Sequence, residues 1–180
     1  MKKVAVMFAD GFEEIEAVSV VDILRRAGVE VKMVGLNKKS VKGAHGIEMT
    51  AQMVLDDLEV NDFDMIVLPG GLPGAEYLAK SDKLLEVLKE FDKNSKFIAA
   101  ICAAPWALGE AKVLKDSYTC YPGFKSKVNH EGYTNSTNVV VDKNIITSRG
   151  PATAMEFALN LVKVLYGESK FKEIKEGLLF

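Results

Sequence analysis

The 180-residue sequence has only two cysteines, two histidines and one tryptophan. Cys102 and Cys120 stand 18 residues apart, so they form neither a disulfide framework nor the ligand spacing of a zinc site. We therefore expect no metal and a reducing, cytoplasmic location. Apolar runs all fall short of the roughly 20 residues that a membrane-spanning helix needs, so no membrane is expected as a partner.

An excess of positive charge is also missing, because 23 basic residues stand against 25 acidic ones along the chain. This balance disfavours nucleic acid as a partner. The remaining composition, 48% hydrophobic and 27% charged, is that of an ordinary globular protein. Its length suits one compact core better than two, so we predict a single domain over residues 1–180.

Apolar strands alternate with amphipathic helices along the chain. The strands are predicted at 3–8, 29–36, 63–71 and 97–101, with a short hairpin or an irregular segment at 41–51 and a strand pair at 139–148. The helices are predicted at 13–28, 81–93 and 149–167, with a short one in the tail. Strands that are apolar throughout are typical of a parallel sheet covered on both faces. The predicted fold is therefore α/β and doubly wound, with a mostly parallel sheet.

The first predicted helix carries an apolar stripe at Ile15, Val18, Val21 and Leu24. Three glutamates crowd its N-terminus, where the helix dipole favours acids, so we expect only structural roles for Glu13 and Glu14. Glu16 lies close to the apolar stripe and is predicted to point inward.

Ligands of doubly wound sheets bind beyond the carboxyl ends of the strands. Four loops meet that description: 9–16, 68–75, 101–107 and 148–154. The glycines of the second loop lack the spacing of a dinucleotide site and follow the wrong strand, so no nucleotide cofactor is expected.

Cys102 lies where the strand at 97–101 turns into a helix. Such a sharp turn needs small residues two positions to either side, and Ala100 and Ala104 meet this need. In one interpretation the turn pushes the sulfur outward near a helix N-terminus, which favours the thiolate. In the other, Cys102 is a buried residue that only packs. The amides of Gly71 and Ala103 are candidates for an oxyanion hole, although "PGG" by itself indicates no more than a tight turn.

Four sequence blocks, "ADGFEEIEAVSVVDILRRAG", "VLPGG", "AAICAAPWAL" and "TSRGPATAMEFAL", occur in an order that resembles the ThiJ/PfpI superfamily. The resemblance extends from Lys3 to about Gly167 and is greatest to the branch of the parkinsonism-associated DJ protein. It implies a flavodoxin-like fold of the class I glutamine amidotransferase type, a homodimer and an oxidation-prone cysteine.

The resemblance also implies roles for individual residues. Cys102 corresponds to the nucleophile and Glu16 to a buried, protonated glutamic acid that hydrogen-bonds the thiolate. Gly70 and Gly71 correspond to glycines on the oxyanion side, and Arg149 to an arginine that contacts anions.

Two departures from the family pattern matter. The protease-like branch has a histidine directly after the nucleophile, where this chain has Ala103, so a cysteine protease is disfavoured. Relatives in the nearer branch often have a histidine before a proline close to the cysteine, where this chain has Tyr121. His45 resembles a residue near the partner subunit's pocket, which leaves an interface role and an ordinary loop position open. His130 is predicted to be a loop histidine, and Cys120 a structural cysteine.

Two functions remain open. One is a cofactor-free enzyme in which Cys102 attacks small reactive carbonyls and Glu16 moves the proton, as in the glyoxalase and deglycase activities ascribed to the family. The other is a stress-responsive redox sensor or chaperone in which Cys102 is oxidised. The same residues serve both functions, so the sequence does not separate them.

Overall fold

A computed structural model describes all 180 residues. The strands are β1 (Lys3–Phe8), β2 (Glu30–Gly35), β3 (Ser40–Lys42), β4 (Glu48–Thr50), β5 (Met53–Val54), β6 (Met65–Leu68), β7 (Phe97–Ile101), β8 (Val139–Asp142) and β9 (Ile145–Ser148). The helices are α1 (Glu14–Arg26), α2 (Gly74–Ala79), α3 (Asp82–Lys93), α4 (Pro105–Glu110), α5 (Lys125–Val128), α6 (Ala154–Tyr166) and α7 (Glu168–Gly177).

Seven strands form one sheet in the order β5-β2-β1-β6-β7-β9-β8. All neighbours in this sheet are parallel except the edge strand β8, which is antiparallel to β9. The predicted mostly parallel, doubly wound α/β sheet is therefore confirmed. Strands β3 and β4 form a separate antiparallel hairpin, which is one of the two alternatives that the sequence leaves open.

Alternate residues of the central strands belong to two separate apolar clusters. Val6 and Val67 pack in one cluster, with residues of α1 and α6, whereas Met7 and Ile66 pack in the other, with residues of α3 and α4. Because successive side chains of a strand point to opposite faces, the sheet is covered by helices on both sides. This arrangement explains why the central strands are apolar throughout.

The stripe predicted for α1 is partly wrong. Ile15 and Val18 are 57% and 43% exposed, whereas Ala17, Val20 and Leu24 are buried against the sheet and α6. The buried face is therefore rotated from the predicted one. Small Ala17 allows the helix to approach its neighbours closely, while two large apolar side chains are left at the surface.

The start of α3 and the C-terminal ends of α1 and α6 agree with the prediction, whereas α6 begins only at Ala154, after a 3-10 turn at Pro151–Thr153. Ser81 caps α3 by accepting a hydrogen bond from the amide of Leu84, and Gly28 and Gly167 follow α1 and α6 with positive φ. Helices α2, α4 and α5 have six residues or fewer, too short for an apolar period to reveal them. None of the helices is long and apolar enough to cross a bilayer.

Candidate active site

Cys102 forms a strained turn between β7 and α4, with φ at +65°. Non-glycine residues rarely adopt this left-handed conformation, so the surrounding structure must hold it. The amide of Cys102 donates to the carbonyl of Ser148 (3.0 Å), and its carbonyl accepts from the amide of Tyr121 (2.8 Å). Ala100 and Ala104 are fully buried on either side. The predicted elbow is confirmed.

The expectation that the turn pushes the sulfur outward is wrong, because Cys102 is only 9% exposed. The loop after β6 covers it. A Cβ added to Gly70 would lie 2.6 Å from Cβ of Cys102 and 2.8 Å from Oε2 of Glu16, so only glycine allows this close approach. The loop after β6 therefore leaves little free space beside the Cys102 side chain.

Glu16 lies in the first turn of α1 and is fully buried, as predicted. Its Oε2 accepts a hydrogen bond from the amide of Gly70 (2.7 Å). Oε1 is buried without a hydrogen-bond partner, and the Cys102 thiol is close enough to influence the pKa of the carboxyl. The amide of Gly70 therefore donates to Glu16 and is not free to bind an oxyanion. This differs from the oxyanion-side role expected for Gly70, which instead positions the carboxyl.

Burial raises the pKa of Glu16 to about 7, although the amide of Gly70 and the Cys102 thiol oppose this change. Burial also raises the pKa of the Cys102 thiol, and so does a charged Glu16, whereas the amides of Gly71 and Ala103 lower it. Two buried acids in contact do not ionise independently. The pair therefore passes from two protons to one around neutral pH, and a proton on Glu16 removes the repulsion that opposes the thiolate.

Glu13 and Glu14 are buried but have structural partners, in agreement with the roles expected for them. Glu13 caps α1 by accepting from the amide of Glu16 (2.7 Å). Glu14 anchors the β3–β4 hairpin, because it accepts from the amide of His45 (2.7 Å) and contacts its Nδ1 (2.8 Å). These three side chains place ligand atoms within 4.8 Å of one another, which suits a metal ion. Their contacts with each other and with backbone amides already account for the cluster.

Arg149 and Tyr121 line a cavity of about 180 Å³ beside the elbow. Nε of Arg149 is buried without a hydrogen-bond partner, and its side chain forms no salt bridge. Cys120, one residue before Tyr121, is fully buried in the apolar cluster on the other face of the sheet. Burial raises the pKa of its thiol to about 11, as expected of a structural cysteine.

The chain is similar to a known protein family in both sequence and structure. Residues 2–164 match the profile of the DJ-1/PfpI family. The chain belongs to this family. Its sequence is 37% identical to the glutathione-independent glyoxalase DJR-1.2 of Caenorhabditis elegans over 167 residues, which cover 92% of this chain and 89% of that protein.

Oxidised DJ-1 of Toxoplasma gondii has the same fold, with a TM-score of 0.94, 38% identity and coverage of 100% of this chain and 99% of that one. Protein DJ-1 homolog B of Arabidopsis thaliana is 40% identical over 185 residues, which are 99% of this chain. This chain covers only 41% of the length of that plant relative.

This DJ-1/PfpI chain departs from the family pattern at the two positions noted in the sequence. Ala103 is buried and follows Cys102, so no imidazole stands there. Tyr121 is half-exposed, and its amide, rather than its phenol, contacts Cys102. The nitrogen Nδ1 of His130 accepts from the amide of Gly132 (3.0 Å) in a loop, as predicted.

Sequence reasoning misses two features of this DJ-1/PfpI site. One is the contact of Gly70 with Glu16, because a glycine has no side chain to indicate its partner. The other is the cavity beside Tyr121, whose walls come from two segments far apart in the chain. The proline after Tyr121 and the proline after Gly150 are the only signals of that cavity in the sequence.

The buried Glu16 predicts an unusual pH dependence of stability. Its pKa rises from 4.5 to about 7 on folding, so the folded state binds more protons between these values. The free energy of unfolding should therefore decrease by roughly 3 kcal/mol as the pH rises from 4.5 to 8, relative to Glu16→Gln. Urea unfolding of both proteins at several pH values measures this difference. An unchanged difference would show that Glu16 ionises normally.

Proposed function

We propose that this chain is a cofactor-free, cysteine-dependent enzyme that acts on small reactive carbonyls, of the glyoxalase or deglycase type, in stress protection. The main observation is a nucleophile on a strained elbow beside a buried carboxyl whose pKa lies near neutrality. The glyoxalase named among its relatives supports the same activity. Thiolate chemistry of this kind suits a reducing compartment such as the cytoplasm.

The geometry supports a sequence of balanced steps. The Cys102 thiolate attacks the aldehyde carbon of a 2-oxoaldehyde and forms a C–S bond, while the aldehyde oxygen gains negative charge. The amides of Gly71 and Ala103, which already lower the thiol pKa, are close enough to stabilise this charge. Glu16 then gives its proton to the oxygen and becomes a carboxylate.

The carboxylate of Glu16 next removes the hydrogen of the former aldehyde carbon as a proton, and an enediolate forms. Return of that proton to the neighbouring carbon, together with transfer of the hydroxyl proton from one oxygen to the other, gives a 2-hydroxy thioester. Water attacks the thioester, the C–S bond breaks, and a 2-hydroxy acid leaves. The aldehyde carbon is oxidised and its neighbour reduced, so no external oxidant or cofactor takes part.

Turnover of methylglyoxal to lactate by the reduced protein tests this function. An enzyme should form lactate at a rate that saturates with methylglyoxal and in large excess over the protein. A protein that consumes only one equivalent of methylglyoxal per thiol would not be a catalyst.

A redox sensor or chaperone is the second candidate, favoured by the family member that was solved in an oxidised form. In this function the oxidation of Cys102 itself is the signal. Both candidates need a reactive thiol, but only the enzyme needs turnover, so the methylglyoxal experiment separates them.

Mild peroxide should convert Cys102 to the sulfinic acid before it modifies Cys120. Cys102 retains some exposure at a strained turn, and the amides of Gly71 and Ala103 favour its thiolate, whereas Cys120 is fully buried in an apolar cluster. Peptide mass spectrometry over a peroxide series measures both sites. Earlier oxidation of Cys120 would contradict the assigned reactivity.

We also propose that the chain forms a homodimer through α1 and the β3–β4 hairpin. Ile15 and Val18 on α1 are exposed, and so is Ile47 in the hairpin that Glu14 anchors. Adjacent exposed apolar side chains of this size are typical of an interface. His45 lies at the same hairpin and is expected at the edge of this interface.

Light scattering should give about twice the chain mass of 19.7 kDa at micromolar concentration. Val18→Asp should shift the protein toward the monomer, because it buries an unpaired charge. Val141→Asp is the control, since Val141 is similarly exposed on the edge strand β8. A monomeric wild type, or equal effects of the two variants, would exclude this interface.

A further inference from the structure

We propose that the preferred substrates are 2-oxoaldehydes with an aromatic ring, and that the ring occupies the cavity lined by Tyr121, Pro122, Pro151 and Ala152. This inference rests on the proposed function, since it names the substrate class of the same site. It assigns a role in substrate specificity to Tyr121, at the position where relatives often have a histidine.

The two chain segments that line the cavity are both hydrogen-bonded to the backbone of Cys102. Tyr121 donates its amide hydrogen to the carbonyl of Cys102 (2.8 Å), and Ser148, which precedes Arg149, accepts from the amide of Cys102 (3.0 Å). The cavity therefore begins within one or two residues of the elbow. In the proposed binding mode, a substituent on the carbonyl carbon that is bound to the sulfur extends toward this cavity.

Most of the surface that faces the cavity is apolar. Tyr121 is 46% exposed, and its ring packs edge-on against Phe124 with centroids 6.4 Å apart. A Cβ at Gly150 would lie 3.2 Å from the same ring, so glycine leaves room for the tyrosine there. Two prolines and an alanine complete the apolar surface. An exposed, immobilised aromatic face of this kind is suited to a second ring.

The size of the cavity also suits a phenyl group. Its volume is about 180 Å³. An apolar cavity of about 150 Å³ is large enough to bind benzene. A methyl group, as in methylglyoxal, would leave most of the cavity unfilled and would make few contacts with its walls.

The polar residues that line the cavity are Arg149 and Thr153. The buried Nε of Arg149 has no hydrogen-bond partner, and an unpaired buried donor is costly. Phenylglyoxal and water give mandelate, which carries a ring and a carboxylate. The ring matches the apolar surface of the cavity, and the carboxylate matches Arg149. Lactate, the product from methylglyoxal, carries only the carboxylate.

Calorimetric binding of mandelate and lactate to the reduced protein tests this cavity without turnover. Mandelate should bind about 10-fold more tightly than lactate. A contact between two aromatic rings raises affinity by about 2-fold to about 10-fold, in addition to the effect of the apolar area that it buries. Tyr121→Ala should remove most of this advantage, whereas Tyr77→Ala, at a half-exposed tyrosine on α2, should preserve it. Equal binding of the two acids, or an advantage that survives Tyr121→Ala, would overturn the inference.

Initial rates separate this inference from the proposed function. The ratio of kcat/KM for phenylglyoxal to that for methylglyoxal should fall by about 10-fold in Tyr121→Ala. If the protein turns over methylglyoxal but Tyr121→Ala leaves the kcat/KM ratio unchanged, the aromatic substrate class is contradicted and the proposed enzymatic function is not. Tyr121-dependent binding of mandelate without turnover of either aldehyde would support the cavity and contradict the enzymatic function.

Discussion

Cys102→Ser is expected to lower methylglyoxal turnover by at least about 10³-fold, because no other group in the site can replace the thiolate as a nucleophile. A serine hydroxyl stays protonated at neutral pH, and Glu16 is not poised to deprotonate it when its own pKa is about 7. The substitution retains the size of the side chain, so the elbow and its two backbone hydrogen bonds should persist. Lactate formation by the purified variant measures the loss.

Cys120→Ala is the matched control for this experiment. Cys120 is the only other thiol in the chain, and it is fully buried on the opposite face of the sheet. Its removal should change stability but leave turnover per folded molecule within about 2-fold of wild type. If Cys102→Ser retained turnover or Cys120→Ala lost it while folded, the assignment of the nucleophile would be wrong.

The main elements of the fold follow from the sequence because its signals are strong. Strands such as β6 and β7 are apolar throughout, which is expected only when both faces of a sheet are covered. The rotation of α1 was not predictable from its sequence. Apolar residues lie around most of this helix, and only contact with α6 decides that Ala17, rather than Ile15, is buried.

The candidate site also has some features that the sequence predicts and others that depend on the folded structure. Alanines on either side of Cys102 indicate the elbow, and the position of Glu16 on α1 indicates an inward carboxyl. The burial of the sulfur depends instead on how closely the loop after β6 approaches Cys102. Gly70 and Gly71 permit a close approach, but their presence in the sequence does not predict the distance between the loop and the sulfur. The cavity beside Tyr121 depends on two segments that meet only in the folded chain.

Glu16→Gln is expected to lower kcat by about 10²- to 10⁴-fold, the usual contribution of an acid–base residue. An amide preserves the shape of the carboxyl and a contact with the thiol, but it cannot carry the proton between the two carbons of the substrate. The thiol pKa should also rise, because an amide is a weaker donor to sulfur than a neutral carboxylic acid. Thiolate absorbance against pH measures this second effect.

The pH profile distinguishes a proton carrier from a residue that only packs. Below pH 7 the thiol and Glu16 both hold protons, so activity should rise as the pair loses one proton with an apparent pKa of about 7. In Glu16→Gln the thiol ionises alone in a buried site, which moves the rise to more alkaline pH. Tyr121→Phe should change kcat for methylglyoxal by less than about 3-fold, since Tyr121 contacts Cys102 through its amide and not through its phenol. An inactive Tyr121→Phe beside an active Glu16→Gln would transfer the proton chemistry from the carboxyl to the phenol.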